Sequence, residues 1–485
     1  MRRQRRTGGP APAGAAAGAG ARAGASDPRR RRPGTALLLA IGVTVLSLLL
    51  VMCGFPPDGA PDGRNGDPGP HGTPRMPGGK PAPELGWGFT HTRYSADDGR
   101  AAARSRADRM LSARPIPQNQ HIMGWGADNP EPAPGRYDFS ALDSRIDLIR
   151  RTGGTPVITL CCAPDWMKGG ERGKTDWSRE WLEKAPDPAY YDDFARLSGV
   201  VARRYPDVRH FIVWNELKGF YDDDRQRWDA EAYTRLYNLV HAELKKANKE
   251  NLVGGPYVVM DSQPPGESTN ASEVKGPWGS LDRRALDAVR YWNENKAGAD
   301  FVVVDGSSYT REDALVPDEF RATGKFTAVS RWVREETGLP LWWAEWYVEP
   351  GDENDERDGW SEPHRRAVHA AALIAMSRGG ATTGFYWNPQ KRSTSCAGCL
   401  WRGTAAGDGG SALPMMDLLS RFSREFPPGS RFTEVEVAAG DRPYVRVLAD
   451  EDAVLVVNTR NRPIAAEVDG RSFDLGAYGV RWLKR

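Results

Sequence analysis

The sequence predicts a (β/α)8 TIM barrel of the α/β class, followed by a small C-terminal antiparallel β domain. From residue 85 onward, short apolar runs recur, and most are followed by a stretch with helical periodicity. Eight such alternations over about 330 residues favour a closed barrel over an open sheet. A doubly wound sheet is the alternative, but the sequence has no glycine-rich phosphate-binding loop to support it.

The barrel strands are predicted where runs rich in Val, Ile and aromatic residues end at Gly, Pro, Asn or Asp. They lie near residues 86–91, 121–125, 156–162, 211–216, 252–259, 301–305, 341–346 and 384–388. Helical spacing of apolar residues follows several of them, as in Phe194, Leu197 and Val201. A last helix is predicted over 412–425, and further strands over 433–437, 444–449, 453–458, 465–468 and 480–483.

Three segments precede the barrel. Residues 1–34 carry nine arginines and one acid, Asp27, in an Ala/Gly/Pro tract that is predicted to be disordered. Residues 35–55 are predicted to form a transmembrane signal anchor, because 36–55 are uncharged and long enough to cross a bilayer. Residues 56–84 are predicted to be a linker, since positions 56–83 contain nine Pro and seven Gly. The barrel then spans 85–427 and the C-terminal β domain 428–485.

The charges that flank the apolar segment predict its orientation. Arginines before it and an acidic residue after it favour a cytoplasmic tail and an extracellular barrel. A cleaved signal peptide, which would make the protein secreted, and a lipoprotein attached at Cys53 are alternatives. The chain has 66 Lys+Arg against 64 Asp+Glu, a balance that argues against general nucleic-acid binding. The sequence does not predict an oligomeric state.

The cysteines suggest disulfides rather than a metal centre. Cys396 and Cys399 form a C-x-x-C pair, which in an oxidising compartment is predicted to close a local disulfide. Zinc would need two more ligands, and the sequence has no second pair or histidine cluster at suitable spacing. Neither a metal nor a cofactor is therefore predicted. Cys161 and Cys162 lie in an apolar run and are predicted to be buried thiols that face opposite ways.

Two glutamates end predicted strands, which is where barrel enzymes place their active sites. Glu216 closes the fourth run, and Glu345 lies among tryptophans in the seventh, so the two face each other across the barrel mouth. Two carboxyls about 5–5.5 Å apart can flank one glycosidic bond, one protonated and the other ionised. The pair therefore predicts a glycosidase. Asp305 also ends a strand, and a pair that included it would allow a wider separation of the two acids and an inverting reaction.

The ordered strand-end residues resemble the retaining glycoside hydrolases of clan A. The resemblance rests on Asn215-Glu216 with Glu345 about 130 residues later, and on the segments 134–143, 164–166 and 254–256. Together these are most similar to glycoside hydrolase family 39, the family of β-xylosidases and α-L-iduronidases. The similarity covers about residues 85–485, since that family also appends a C-terminal β domain.

The resemblance implies roles for individual residues. Glu216 would be the general acid/base and Glu345 the nucleophile, in a retaining enzyme that acts on a β-linked oligo- or polysaccharide. Asn215 would hydrogen-bond the sugar 2-hydroxyl, Tyr309 would contact the nucleophile, and Trp387 would lie under the cleaved sugar.

Three further residues are weaker candidates for the pocket wall: Trp166, Trp346 and His91. Each has a structural alternative, as a core tryptophan or a hydrogen-bonded loop histidine. The sequence also departs from the family, because many members place a histidine two residues before the strand-six tyrosine, where this chain has Ser307. The departure weakens any transfer of substrate identity.

Two other classes of protein remain as alternatives. A non-catalytic carbohydrate-binding or wall-associated protein could use the same barrel, although it would not need both glutamates. A membrane-anchored structural protein would explain the anchor and linker but not the paired carboxylates. Serine hydrolases and metallohydrolases are disfavoured, because the sequence contains neither G-x-S-x-G nor H-E-x-x-H.

Overall fold

In the computed structural model, which describes residues 85–351, 359–392 and 396–485, eight parallel strands close into a barrel. Each strand pairs with its neighbours in chain order, and the first strand closes the barrel by pairing with the eighth. The predicted barrel is therefore confirmed. The strands are β1 (Trp87–Thr90), β2 (Gln118–His121), β3 (Pro156–Leu160), β4 (His210–Val213), β5 (Leu252–Val259), β6 (Phe301–Ser307), β7 (Leu341–Tyr347) and β8 (Thr383–Trp387).

Helices follow every barrel strand along the chain. They are α1 (Ala101–Ser112), α2 (Ser140–Arg151), α3 (Arg179–Glu183), α4 (Tyr191–Arg204), α5 (Ala230–Ala247), α6 (Arg283–Asn295), α7 (Glu319–Ala322), α8 (Gly324–Thr337), α9 (Glu362–Arg378) and α10 (Pro414–Glu425). Within the described ranges, none is both long enough and apolar enough to span a bilayer. The predicted tail, anchor and linker lie outside the described residues.

Side chains alternate between the inside of the barrel and the layer beneath the helices. The interior holds a separate apolar cluster in which the rings of Phe301 and Trp342 stack 3.5 Å apart. The outward residues Trp343 and Trp346 belong instead to the larger core shared with the helices. Successive residues of one strand thus serve two different cores.

The second strand differs from its prediction. Strand β2 covers Gln118–His121, whereas the sequence predicts it near 121–125, most of which is the loop that follows. Its polar side chains are fully buried and bond within the barrel: the Asn119 amide donates to Thr90 Oγ1 at 3.1 Å and accepts from Thr159 Oγ1 at 2.8 Å. A buried strand held by side-chain amides gives no apolar signal.

The loops after β4 and β5 carry short strands. Tyr221–Asp222 pairs with Arg227–Trp228, and Gly279–Asp282 pairs with both Ser262–Gln263 and Ala271–Gly276. Because these loops leave the carboxyl ends of their strands, they lie at the barrel mouth.

After the barrel, five antiparallel strands form two small sheets: β9 (Val445–Ala449), β10 (Ala453–Asn458), β11 (Ile464–Val468), β12 (Arg471–Leu475) and β13 (Val480–Lys484). The prediction of a strand over 433–437 is wrong, since this stretch makes only an isolated bridge at Val437. Strand β12 was not predicted, because its mostly exposed residues lack clear alternation.

Helix α9 joins the two parts of the fold. Residues 367–377 are all buried, since α9 contacts the neighbouring helices as well as strands β9, β10 and β13. Arg378 at its end donates to the Val447 carbonyl oxygen at 2.9 Å. The C-terminal strands therefore cover the side of α9 that would otherwise face solvent.

Candidate active site

Glu216 lies in a tight turn directly after β4. Three residues of this turn have left-handed backbone conformations: Trp214 with φ 69°, Glu216 with φ 51° and Leu217 with φ 50°. Such conformations disfavour side chains with a Cβ and are concentrated at functional sites. The turn ends strand β4 at Val213, three residues earlier than predicted, and directs Glu216 into the mouth.

Glu345 owes its orientation to a β-bulge in β7. Trp343 pairs with Val304 and Glu345 pairs with Asp305, so Ala344 is an extra residue on this strand. A bulge of this kind changes which face the following side chains occupy. A second register shift between β5 and β6 makes Tyr257 the extra residue on β5.

The two predicted catalytic glutamates lie together, and a third carboxylate joins them. One carboxylate oxygen from each of Glu216, Asp305 and Glu345 lies within 4.8 Å of the others. The three residues are 8%, 3% and 4% exposed. We call them the carboxylate cluster.

Two tyrosine hydroxyls hold Glu345. Tyr257 donates to Oε2 at 2.8 Å, and Tyr347 donates to Oε1. The family resemblance implies that Tyr309 contacts the nucleophile, and in the structure Tyr309 packs in an aromatic cluster with Tyr347 and Trp387. A signal for Tyr347 was present, because residues two apart on a strand face the same side. The position of Tyr257 depends on the β5 bulge, which no sequence pattern indicates.

Lys218 places a positive charge in the site and was not singled out from the sequence. Its Nζ lies 3.2 Å from Glu216 Oε2 and 3.1 Å from Glu183 Oε1, and its side chain is 11% exposed. Burial alone would lower the pKa of Lys218, but Glu216, Glu183 and Glu345 raise it above its usual range. The ammonium already supplies positive charge to the carboxylate cluster, so we assign no metal site there.

The carboxylate cluster retains protons at neutral pH. Burial, followed by the charge of Glu216, raises the pKa of Glu345 to about 8 against the opposing effects of Tyr347, Lys218 and Tyr257. Burial and the charges of both glutamates raise the pKa of Asp305 well above its usual range. Like charges at this spacing in a low-dielectric site cannot all be ionised together.

Asn215 is oriented by contacts on both of its amide atoms. Its Nδ2 donates to Glu216 Oε1 at 3.2 Å, while its Oδ1 lies 3.1 Å from His121 Nε2. Burial lowers the pKa of His121 to about 4, so the ring is neutral at physiological pH. His121 was within a predicted strand end but was not recognised as a site residue.

Aromatic rings form one side of the site. The rings of Trp125 and Trp387 are 6.3 Å apart and nearly perpendicular, and both lie beside His121. Lys218 Nζ lies 5.7 Å from the Trp125 ring centroid. Trp387 was predicted here from the sequence, whereas Trp125 was not. Because Trp125 is half-buried, part of its surface is open to solvent.

Two predicted pocket tryptophans make contacts of the protein core. The Trp166 indole donates to the Glu131 carbonyl oxygen at 2.8 Å. Trp346 points outward from β7 and packs edge-on against Phe326 and Tyr386. These contacts match the core alternative for both residues.

His91 is also held within the frame of the barrel. It is fully buried, with Nδ1 2.5 Å from Ser95 Oγ and Nε2 2.7 Å from Gln118 Oε1. Burial, with help from the nearby Arg145, lowers the pKa of His91 to about 3. These contacts match the hydrogen-bonded alternative.

Disulfide bonds form within both cysteine pairs. A disulfide links Cys396 and Cys399, the pair indicated by the sequence. A second disulfide links the adjacent Cys161 and Cys162, so the expectation of opposite-facing thiols is wrong. Both residues follow Leu160, the last residue of β3, where strand alternation no longer applies.

Comparison with known proteins shows that part of the chain is similar to a glycoside hydrolase. The chain is 30% identical over 138 residues to a β-xylosidase from Caldicellulosiruptor saccharolyticus, a match that covers 26% of this chain and 26% of the relative. No protein-family model matches the chain. The aligned region thus spans about a quarter of the curated relative.

Solved structures match over a larger share of the chain. A conserved exported protein from Bacteroides fragilis has a TM-score of 0.54 at 12% identity, covering 85% of this chain and 98% of that chain. A family 39 β-xylosidase from Caulobacter crescentus has a TM-score of 0.47 at 17% identity, covering 81% and 79%. The first likeness concerns the fold alone. The curated β-xylosidase confirms a resemblance to a glycoside hydrolase over the 138 aligned residues.

Proposed function

We propose that this protein is a retaining glycoside hydrolase that cleaves a β-linked saccharide by double displacement. The observation that carries the proposal is the close approach of Glu216 and Glu345, whose carboxylate oxygens come within 4.8 Å. Retaining enzymes hold their two carboxyls about 5–5.5 Å apart, whereas inverting enzymes need about 6.5–9.5 Å to admit a water molecule. The short separation therefore supports a covalent glycosyl-enzyme intermediate.

In the first step, Glu216 donates its proton to the leaving oxygen while a Glu345 oxygen attacks the anomeric carbon. The glycosidic bond breaks, an ester bond forms, and the leaving group departs as an alcohol. The reactive arrangement has the proton on Glu216 and the charge on Glu345. The hydroxyls of Tyr257 and Tyr347 donate to Glu345 and so favour that charge.

In the second step, Glu216 accepts a proton from water, and the water oxygen attacks the anomeric carbon. The ester bond to Glu345 breaks, which releases a sugar of the original configuration and restores both carboxyls. The contact with His121 supports Asn215 as a fixed hydrogen-bonding partner for the sugar 2-hydroxyl.

A β-xyloside is the first substrate class to test. The curated relative is a β-xylosidase, and the Trp125 and Trp387 rings offer flat apolar faces beside the carboxylates. The faces of sugar rings pack favourably on such surfaces. We further propose that residues 35–55 anchor the enzyme in the cell membrane with the barrel outside, on the strength of their apolar run and basic flank.

The test is turnover of a panel of aryl β-glycosides, beginning with the xyloside, with the anomer of the first product followed by proton NMR. We expect release of the aryl group with retention of configuration. Inversion would contradict the double displacement. Saturable saccharide binding without turnover would favour the non-catalytic carbohydrate-binding alternative.

A further inference from the structure

The acid/base candidate is paired with a buried lysine that is itself fixed from another loop. Lys218 Nζ bridges Glu216 and Glu183 at 3.2 Å and 3.1 Å. Glu183 ends α3 in the loop after β3, where Arg179 also holds it at 2.9 Å. The ammonium therefore has little freedom to leave Glu216.

The position of the ammonium affects which glutamate carries a proton. An ammonium against one carboxylate favours the ionised form of that carboxylate. Burial, followed by the charge of Glu216, raises the pKa of the opposing Glu345 to about 8. Glu345 therefore keeps its proton at neutral pH. The ligand-free site thus favours a proton on Glu345, which is the reverse of the reactive arrangement.

Other titratable groups face this pair from several elements, and none of them replaces the ammonium. They are Asp305 on β6, Tyr257 on β5, Tyr347 on β7, Asp261 after β5 and His121 on β2. The two aspartates cannot carry a positive charge, the tyrosines stay neutral, and burial keeps His121 uncharged. Among the described groups close to Glu216, Lys218 is the one with a positive charge in contact with its carboxylate.

We propose that Lys218, held by Glu183, is a positioning residue that draws the shared proton away from Glu216 and so limits turnover at alkaline pH. This rests on the proposed function. The same ammonium assists the second step, in which Glu216 must be ionised to accept a proton from water. Lys218 therefore slows the formation of the glycosyl-enzyme and speeds its hydrolysis.

The experiment compares pH profiles of Lys218→Met and the parent on two substrates. With phenyl β-D-xyloside, whose leaving group needs a proton, the alkaline limb of kcat/KM should move up by at least about one pH unit. With a dinitrophenyl β-D-xyloside, whose leaving group needs none, kcat/KM should show no alkaline limb from Glu216 in either protein. kcat on this second substrate, which reports hydrolysis of the intermediate, should fall severalfold. A merely structural role would lower both parameters together.

Further variants keep the test decisive if Lys218→Met does not fold. Glu183→Gln leaves the ammonium to Glu216 alone, so the alkaline limb on the phenyl substrate should move down. Lys218→Arg keeps the charge and should restore the parental limb. Lys184→Met is the matched control, because its ammonium lies in the loop of Glu183 but donates to the Lys168 carbonyl oxygen at 2.8 Å.

If the alkaline limb of kcat/KM on the phenyl substrate does not move in Lys218→Met, the proposed role of Lys218 is wrong. If Lys218→Met is unfolded, an unmoved limb in Glu183→Gln leads to the same conclusion. Equal losses on both substrates at every pH would do the same. If the parent turns over the substrates but the alkaline limb does not move in the variants, the proposed hydrolase function still stands. Absence of parental turnover on both substrates would overturn both proposals for β-xylosides.

Discussion

The two glutamates carry the same functional group, yet the surrounding protein treats them in opposite ways. Glu216 stands on a strained turn and contacts a full positive charge from Lys218. Glu345 stands on a bulged strand and receives neutral hydroxyl donors from Tyr257 and Tyr347. Two like carboxyls thus lie in different electrostatic environments, which supports the different roles proposed for them.

The difference also concerns where the partners come from. The hydroxyls on Glu345 belong to barrel strands, whose positions are fixed by the sheet. The ammonium on Glu216 belongs to a loop and is braced by Glu183 from a second loop. The environment of Glu345 is thus built into the scaffold, whereas that of Glu216 depends on how two loops meet.

The largest expected effect comes from removing either carboxylate. Glu216→Gln should lower kcat/KM on phenyl β-D-xyloside by at least about 10²-fold, the usual contribution of general acid catalysis. The loss should shrink on the dinitrophenyl substrate, which needs no proton. Glu345→Gln should be at least as damaging on both substrates, since it removes the attacking oxygen.

The exposed Glu250→Gln is the matched control for both carboxylate variants and should keep parental rates. Circular dichroism should show that all three variants are folded. Near-parental turnover in either active-site variant would refute the assigned role.

The next effect comes from the hydroxyl donors on the nucleophile side. Tyr257→Phe and Tyr347→Phe should each lower kcat/KM by about 10-fold, because a hydrogen bond to a charged group is lost. Steady-state kinetics on the phenyl substrate measures this. Tyr237→Phe removes a hydroxyl that donates to the Gly298 carbonyl oxygen, and no loss is expected there. Equal losses in all three variants would mean that packing, not donation to Glu345, is responsible.

Asp305→Asn tests whether the third carboxylate belongs to the catalytic pair. Burial and both glutamates raise the pKa of Asp305 and so favour its protonated form, and an amide has nearly the same shape as a protonated carboxyl. Turnover near neutral pH should therefore change by no more than about threefold, far below an acid/base loss. A loss as large as that of Glu345→Gln, with an inverted product in the parent, would make Asp305 a member of an inverting pair.

The smallest effect is on stability and its pH dependence. The pKa of Glu345 is 4.5 in the unfolded protein, but in the folded protein it is raised to about 8. Between these values the unfolded state binds fewer protons, so rising pH lowers the free energy of unfolding. Glu345→Gln lacks this dependence, and its Tm relative to the parent should rise by about 2 °C or more between pH 5 and 8. A constant Tm difference would contradict the raised pKa.

The barrel and the two glutamates could be predicted because their signals are local. Apolar runs mark most strands, and a carboxylate at the end of a run marks a barrel mouth. Strand β2 was misplaced because its polar residues bond inside the barrel. The bulge at Ala344 shows that strand alternation by itself does not determine which way a catalytic residue points.

The partners of the glutamates were missed for a different reason. Lys218 is two residues from Glu216, but its importance depends on Glu183, which reaches it from the preceding βα loop. Tyr257 reaches Glu345 only because the register of β5 shifts at that residue. Such contacts arise between distant segments, and a single sequence carries no pattern that reports them.

The burial of α9 on every side has a consequence for dissecting the chain. Cutting after residue 427 would strip β9, β10 and β13 from that helix and leave its alanine-rich outer surface in water. Exposed apolar surface of this kind promotes aggregation. The barrel is therefore not a portable module, and exchanging the C-terminal strands for those of another protein would require redesign of the helix beneath them.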